Sequence, residues 1–307
     1  MQAQFDPDSA AAWQVRLFKK SFTQQAKLEN LQRFLSPSEG KTCLDVGVGS
    51  GVIPVMLRRN GGQWISIDSR QPAVNAMIEL FGEKAVFMIE GAELPFEDDS
   101  FDTIVVIDYL ERIRDDRLFV KECHRCLRPK GELLIHVPHI KKVSFNRGLR
   151  NLLKKTYETK GQVRPGYRAP TLYDICKDGF DIVESQTYGG FFLEFINTWV
   201  QYAGGAPSSP QPSNVDVLDQ KELRRYAKIH RIYTMLYPLQ LIGKLLDKIF
   251  FFTGNHYLVI KARPRNWIER KRVQMRDGRS IADATINTRI GSAADLTDPK
   301  NNRSSAG

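Results

Sequence analysis

Three glycines at alternate positions, Gly47, Gly49 and Gly51, follow an acid, Asp45, and a second acid, Asp68, stands seventeen residues past the last of them. Glycine lets a chain bend tightly and lets a ligand approach with no Cβ in the way. A helix that starts after such a turn offers free N–H groups to an anionic group, such as a cofactor carboxylate. A carboxylate at position 68 can accept both hydroxyls of a ribose. The spacing therefore predicts a nucleoside-containing cofactor. The acid suits NAD as well as other nucleosides, but the dinucleotide fingerprint G-x-G-x-x-G needs a third glycine at position 52, where the chain has Val52. The bland alternative is a set of turn glycines in an unrelated fold.

The elements around these residues follow from the apolar pattern. Thr42 to Val46 reads as a buried strand and Val52 to Arg59 as a helix, with Pro54 tolerated in its first turn. Trp64 to Asp68, Ala85 to Ile89, Ile104 to Ile107 and Glu132 to Pro138 read as further strands, with helices over Pro72 to Phe81 and Asp115 to Cys126. Such alternation requires a parallel sheet, with ligands at the carboxyl ends of the strands. Upstream, Ser9 to Leu35 reads as a helix that caps the sheet or covers a pocket.

Asp45-x-Gly47-x-Gly49-x-Gly51 resembles motif I of the class I S-adenosylmethionine-dependent methyltransferases. Glu90-Gly-Ala-Glu-Leu-Pro-Phe96, followed by Asp98-Asp-Ser-Phe-Asp102, resembles the D-A-x-x-L-P-F…D-x-S-F-D signature of the methyltransferase type 11 family. Leu127-Arg-Pro-Lys-Gly131 is similar to that family's L-K-P-G-G turn. The resemblance covers about residues 40 to 140. It implies an α/β, doubly wound Rossmann-like seven-stranded sheet with the last strand antiparallel, and S-adenosyl-L-methionine as cofactor. The cofactor-binding residues it implies are Asp45, Gly47, Gly49, Gly51, Asp68, Glu90 and Asp108. Glu90 falls where the family usually has an aspartate on the adenine amino group, which keeps the acceptor on a longer arm. Arg112 replaces a histidine common in the family's L-E-H. These motifs say nothing specific about the acceptor.

The second half departs from a minimal domain. Phe180 to Thr187 reads as the sixth strand and His256 to Arg263 as the seventh. Between them lie the apolar, aromatic Phe191 to Tyr202, a Pro/Ser/Gly linker over Gly204 to Ser213, and a helical run from Lys221 to Phe252. The organisation expected is a helical cap over 1–36, a cofactor-binding domain over 37–190 and 255–265, a helical insertion over 191–254, and a disordered basic tail over 266–307. Ile232 to Gly243 carries twelve uncharged residues, too few for the roughly 20 that cross a bilayer. A basic helix leading into an apolar one either lies in a membrane interface or covers a hydrophobic pocket. Both imply a small-molecule acceptor that is lipid-like or lipid-linked.

Charge points the same way. The chain of 307 residues carries a formal net charge of +10. The blocks Lys141 to Lys155, Lys221 to Arg231 and Lys261 to Arg276 carry +6, +4 and +6. Clustered cations suit an anionic membrane surface or nucleic acid, or simply make solvated faces. A nucleic-acid methyltransferase is disfavoured, because Asp108-Tyr-Leu-Glu111 is not the N-P-P-Y-like turn of base-amino methyltransferases. A binding module without activity is disfavoured by the glycines and acids at the cofactor positions. The oligomeric state cannot be read.

Four cysteines, Cys43, Cys123, Cys126 and Cys176, make no disulfide framework. Cys123 and Cys126 lack two further ligands at zinc spacing, so no metal is expected. The start Met1-Gln-Ala-Gln-Phe-Asp has no apolar core, and the expected location is the cytoplasm, at most peripheral to the inner membrane face. For the proton of an oxygen acceptor, His139 just past the fifth strand is the candidate base. Tyr167, in Gly161-Gln-Val-Arg-Pro-Gly-Tyr167, is a second candidate. The segment resembles a G-H-V-R of some bacterial relatives, with Gln162 replacing the histidine. Arg164 and Arg168 are either anion-holding groups or ordinary surface arginines.

Overall fold

The computed structural model describes residues 10–47, 49, 51–81, 85–140, 161–204, 220–250 and 255–268, and all the elements below lie within Met1–Trp267. The basic block 141–155, most of the 204–213 linker and nearly all of the 266–307 tail lie outside the described residues.

β1 (Thr42–Val46) is buried in all but its first residue, as a strand covered on both faces must be. It pairs in parallel with β2 (Gln63–Asp68) and β4 (Phe101–Ile107). With β3 (Val86–Met88), β5 (Leu127–Pro138), β6 (Phe180–Tyr188) and β7 (Tyr257–Pro264), they form a seven-stranded sheet in the order β3-β2-β1-β4-β5-β7-β6. β7 runs antiparallel to both its neighbours, β5 and β6. The expected fold class is the one observed.

Alternate side chains of each strand go to opposite faces. Leu44, Val46 and Ile104 meet Phe119 and Val120 of α5 (Asp116–Cys126) and Leu172 of α6 (Ala169–Cys176). On the other face Cys43, Val105 and Val259 meet Leu31 and Phe34 of α2 (Phe22–Phe34) and Leu57 of α3 (Val52–Arg58). α4 (Gln71–Phe81) packs Val74 and Met77 against Val86 of β3.

The single helix expected over Ser9 to Leu35 is two. α1 (Ala10–Lys20) stops at Ser21, whose hydroxyl accepts from Gln24 N at 3.4 Å and caps α2. The expected run from Lys221 to Phe252 is likewise broken. α8 (Gln220–Met235) ends before Leu236, and α9 (Tyr237–Ile249) restarts with Pro238 in its first turn, where a missing N–H costs nothing.

Together with α7 (Phe191–Ala203), these helices form the insertion between β6 and β7. Ile196 and Val200 of α7, Tyr233 of α8 and Leu17 of α1 share one apolar cluster. Gln240 of α9 fastens the insertion to the α1–α2 break: its amide donates to Lys20 O at 3.1 Å and its carbonyl accepts from Phe22 N at 3.4 Å. Those are backbone groups that the break would leave unpaired. Asp247 of α9 accepts from Phe192 N at 2.8 Å and Leu193 N at 3.1 Å, capping α7 across space. Only a glycine fits at 190, since a Cβ there would stand 1.8 Å from the Asp247 carboxylate. No described helix is long and apolar enough to cross a membrane.

Candidate active site

The turn after β1 is held by three left-handed glycines, Gly47, Gly49 and Gly51, with φ of 79°, 63° and 77°. A Cβ on Gly47 would meet Ile107 O at 2.4 Å, so the turn lies directly against the end of β4. Gly49 differs. Among the described residues a Cβ there would find only Arg70 Nη2, at 3.9 Å, so toward them the backbone faces open space. Its N–H donates to Asp68 Oδ2 at 3.3 Å.

Asp68 closes β2 with a buried carboxylate. Arg70 grips it as a fork, Nε to Oδ1 at 3.0 Å and Nη2 to Oδ2 at 2.8 Å, with the Arg70 N–H also on Oδ1. Glu90 is exposed past the end of β3, where the preceding residue donates from Ile89 N to Asp68 O at 3.1 Å. Asp45 lies apart from these groups. Its buried carboxylate takes Arg58 Nη1 at 2.8 Å, and Arg58 also donates to Ser66 Oγ at 2.7 Å. Burial pushes the Asp45 carboxyl upward against the pull of Arg58. Its geometry ties α3 to β1 and so steadies the glycine turn between them.

Asp108, just past β4, adopts φ 48°, a conformation costly for any residue but glycine. Its backbone N–H donates to His136 O at 3.0 Å. Its carboxylate gathers three elements: Lys27 of α2 is ion-paired to Oδ2, and His136 of β5 donates from Nδ1 to Oδ1 at 2.9 Å. A carboxylate only accepts, which makes Nε2 of His136 the acceptor for the Tyr188 hydroxyl at 2.6 Å. Burial alone would raise the Asp108 carboxyl, but Lys27 and His136 overcome it and hold it far below its ordinary value. Burial lowers His136 despite the attraction of Asp108. The imidazole also stacks on Tyr257, centroids 5.4 Å apart.

Tyr188 and Tyr257 wall a cavity of about 30 Å³ together with Thr23 and Ala26 of α2 and Leu193 and Glu194 of α7. Tyr257 donates its hydroxyl to Glu194 at 3.0 Å. Nearby Glu111 is fully buried. Oε1 accepts from Gln162 at 3.1 Å, whereas Oε2 has no partner among the described residues. Burial first, and the Asp108 charge second, push this carboxyl up to about 7. Arg112 donates from Nε to the Asp108 carbonyl at 3.0 Å.

His139 sits just past β5, half-buried, and donates from Nδ1 to Asn255 O at 2.9 Å. That bond leaves Nε2 as the basic nitrogen. Tyr167 requires a correction. It is only 2% exposed, and its hydroxyl lies 2.7 Å from Asp116 and 3.1 Å from Leu110 O while accepting from Arg164 at 3.0 Å. Burial raises its pKa further. It is packed as a core residue, its hydroxyl held among Arg164, Leu110 O and Asp116. Arg164 is ion-paired to Asp116 and donates to Ile113 O at 3.1 Å and Arg114 O at 2.7 Å, so it is no anion holder. Cys123 and Cys126 are buried on α5, and among the described residues no group of three or more ligand-type side chains is placed to hold a metal.

Sequence reasoning missed Lys27, His136, Tyr188 and Glu111. For His136 a signal existed: it is the one titratable residue in the apolar run Leu133-Leu-Ile-His-Val137.

Residues 44–135 match the methyltransferase domain of type 11. A probable S-adenosylmethionine-dependent methyltransferase of Mycobacterium tuberculosis is 29% identical over 117 residues, 38% of this chain and 42% of that one. The ubiquinone biosynthesis O-methyltransferase of Bradyrhizobium diazoefficiens is 28% identical over 113 residues, 36% and 44% of the two chains. The demethylmenaquinone methyltransferase of Corynebacterium glutamicum is 32% identical over 96 residues, 31% and 41%. The match thus spans less than half of each of these relatives. The structure of Haemonchus contortus phosphoethanolamine N-methyltransferase 2 with S-adenosyl-L-methionine shares the fold, with TM-score 0.51, 18% identity, and coverage of 85% of this chain and 58% of that one.

Proposed function

We propose, from the premise that residues 44–135 are a class I S-adenosylmethionine-dependent methyltransferase domain of type 11, that the chain moves a methyl group from S-adenosyl-L-methionine to an oxygen or carbon of a lipid-like or lipid-linked small molecule. The observation that carries the reading is the open cradle over Gly49, one hydrogen bond away from the Asp68 carboxylate. The residues there fit the donor. Gly47, Gly49, Gly51 and the start of α3 suit its carboxylate, Asp68 its ribose and Glu90 its adenine. Asp108 stands beside them, and Asp45 serves through Arg58. A ribose on Asp68 must share or displace the Arg70 fork. When bound, the donor supplies an already activated methyl group, so the protein has chiefly to align the acceptor and keep water out.

Tyr188, Tyr257 and Leu193 line a cavity of about 30 Å³, apolar but with room for little more than a water, so an acceptor entering here must part α7 from α2. Similarity to a ubiquinone-pathway and a demethylmenaquinone enzyme supports an acceptor of quinone-precursor type. His139 is the proposed base, with Nδ1–H held by the Asn255 carbonyl and Nε2 left as the accepting nitrogen. One observation favours a second candidate. Tyr188 lies on the cavity wall with its hydroxyl on His136 Nε2, a path for a proton from acceptor to imidazole.

Calorimetry tests the donor. S-adenosylmethionine or its demethylated product is expected to bind, and Asp68→Ala to lose that binding. Heat with NADH and none with S-adenosylmethionine overturns the reading. With quinone-type acceptors, whichever of His139→Gln and Tyr188→Phe removes turnover while sparing donor affinity identifies the base.

A further inference from the structure

α9 is a helix with two unlike faces. Gln240 and Gly243 are buried, the glycine letting the helix close on Ile196 and Phe192 of α7. Away from α7, Leu239, Leu241, Ile242, Leu245 and Ile249, with Met235 at the end of α8, are 48% to 71% exposed. Isolated exposed leucines need no explanation, but an apolar stripe along a whole helix does. Exposed Lys244 and Lys248 flank this stripe on α9, and exposed Arg224, Lys228 and Arg231 extend the positive charge along α8. Among the described side chains of the two helices the one acid is Asp247, and its carboxylate is engaged on Phe192 N and Leu193 N. No other acid among the described side chains of these two helices therefore offsets the cations.

We propose that the α8–α9 pair docks this protein on an anionic phospholipid bilayer, with α9 lying in the interface plane, its leucines among the acyl chains and its lysines at the headgroups. Thirteen residues of helix are too short to span and suited to lie flat. The charge excludes a second copy as the occupant, because a two-fold contact would set the same cations against themselves. The placement also deepens the lipid-like acceptor reading, on which the choice of a bilayer rests in part. α9 packs on α7, whose first turn supplies Leu193 and Glu194 to the cavity, so the bilayer lies one helix layer from the acceptor wall.

The test uses the full chain with vesicles of phosphatidylcholine alone and of phosphatidylcholine with phosphatidylglycerol. Co-sedimentation is expected only with the anionic vesicles and to weaken as salt rises. Leu241→Gln with Leu245→Gln is expected to reduce partitioning at least tenfold. Lys244→Gln and Lys248→Gln are each expected to reduce it about fivefold. Both sites are exposed, and an unchanged Tm and donor affinity in every variant shows that a loss of vesicle binding belongs to the surface. Failure to bind S-adenosylmethionine with vesicle binding intact counts instead against the proposed reaction. The docking proposal is overturned if wild type ignores anionic vesicles, if the leucine variants partition like wild type (charge alone, as for a nucleic acid), or if wild type dimerises in sedimentation velocity and the leucine variants do not.

Discussion

The carboxyl edge of the sheet is built in two different ways. On the side of β1, β2 and β4 the working surface is backbone, with three left-handed glycines, the first of them pressed against the end of β4, and one acid at the end of β2. On the side of β5, β6 and β7 it is side chains meeting from afar. Lys27, Asp108, His136 and Tyr188 form one chain of contacts, although 81, 28 and 52 residues separate its successive partners. A backbone cradle is set by residue type within one turn; a side-chain cluster depends on residues brought together by the fold. The first is local in sequence and the second is not.

Four substitutions test that contrast. The largest effect is expected from Gly47→Ala, which forces a Cβ to 2.4 Å from Ile107 O at positive φ. A loss of about 4 kcal/mol in denaturant unfolding, with donor binding abolished, is expected. Alanine tolerated there would mean the turn is not pressed on β4.

Lys27→Met comes next, on the side-chain half. Removing Lys27 leaves the partly buried Asp108 carboxylate with His136 as its remaining partner, at a cost of about 2 kcal/mol. Without the repulsion of Lys27, the His136 pKa is expected to rise, read by NMR titration of the ring. A change in stability with an unmoved His136 would separate the two groups that the structure joins.

Glu111→Gln is expected to act through pH. With its carboxyl raised from 4.5 to about 7, the folded state holds a proton that the unfolded state gives up. The stabilisation is full below about 4.5 and is lost as pH rises through about 7, a change on the order of a few kcal/mol. Glutamine, which stays neutral, removes this slope, so its Tm is expected to gain on wild type between these pH values. The smallest effect is expected for Asp247→Asn, about 1 kcal/mol for a weakened cap, with donor affinity unchanged.

Legibility in the sequence followed the same division. Thr42 to Val46 was readable to the residue, because an apolar run before alternate glycines has few other meanings. The turn's conformation follows from residue type alone. The α1–α2 break was hidden because the apolar positions continue through Ser21, and only the Ser21 cap on Gln24 N reveals it. Pro238 did signal the start of α9, but the apolar run on either side outweighed it. β5 begins at Leu127, five residues before the expected Glu132, because Leu127 pairs with Phe101 across an irregularity that polar residues mask. Tyr167 reads as a second candidate base from its glycine- and arginine-rich segment. Its burial depends on Asp116, fifty-one residues away, and no local pattern carries that.

The place of β7 bears on how the chain acquires its shape. β5 and β6 lie on either side of it and are not paired to each other, so the strand that joins them, Tyr257–Pro264, is the last of the seven to leave the ribosome. Until it arrives, two raw strand borders stand open while everything N-terminal to them has already been made. A product stopped short of Tyr257 is therefore expected to aggregate rather than persist as a smaller working enzyme. The nascent chain has good reason to be shielded until its final strand slots home.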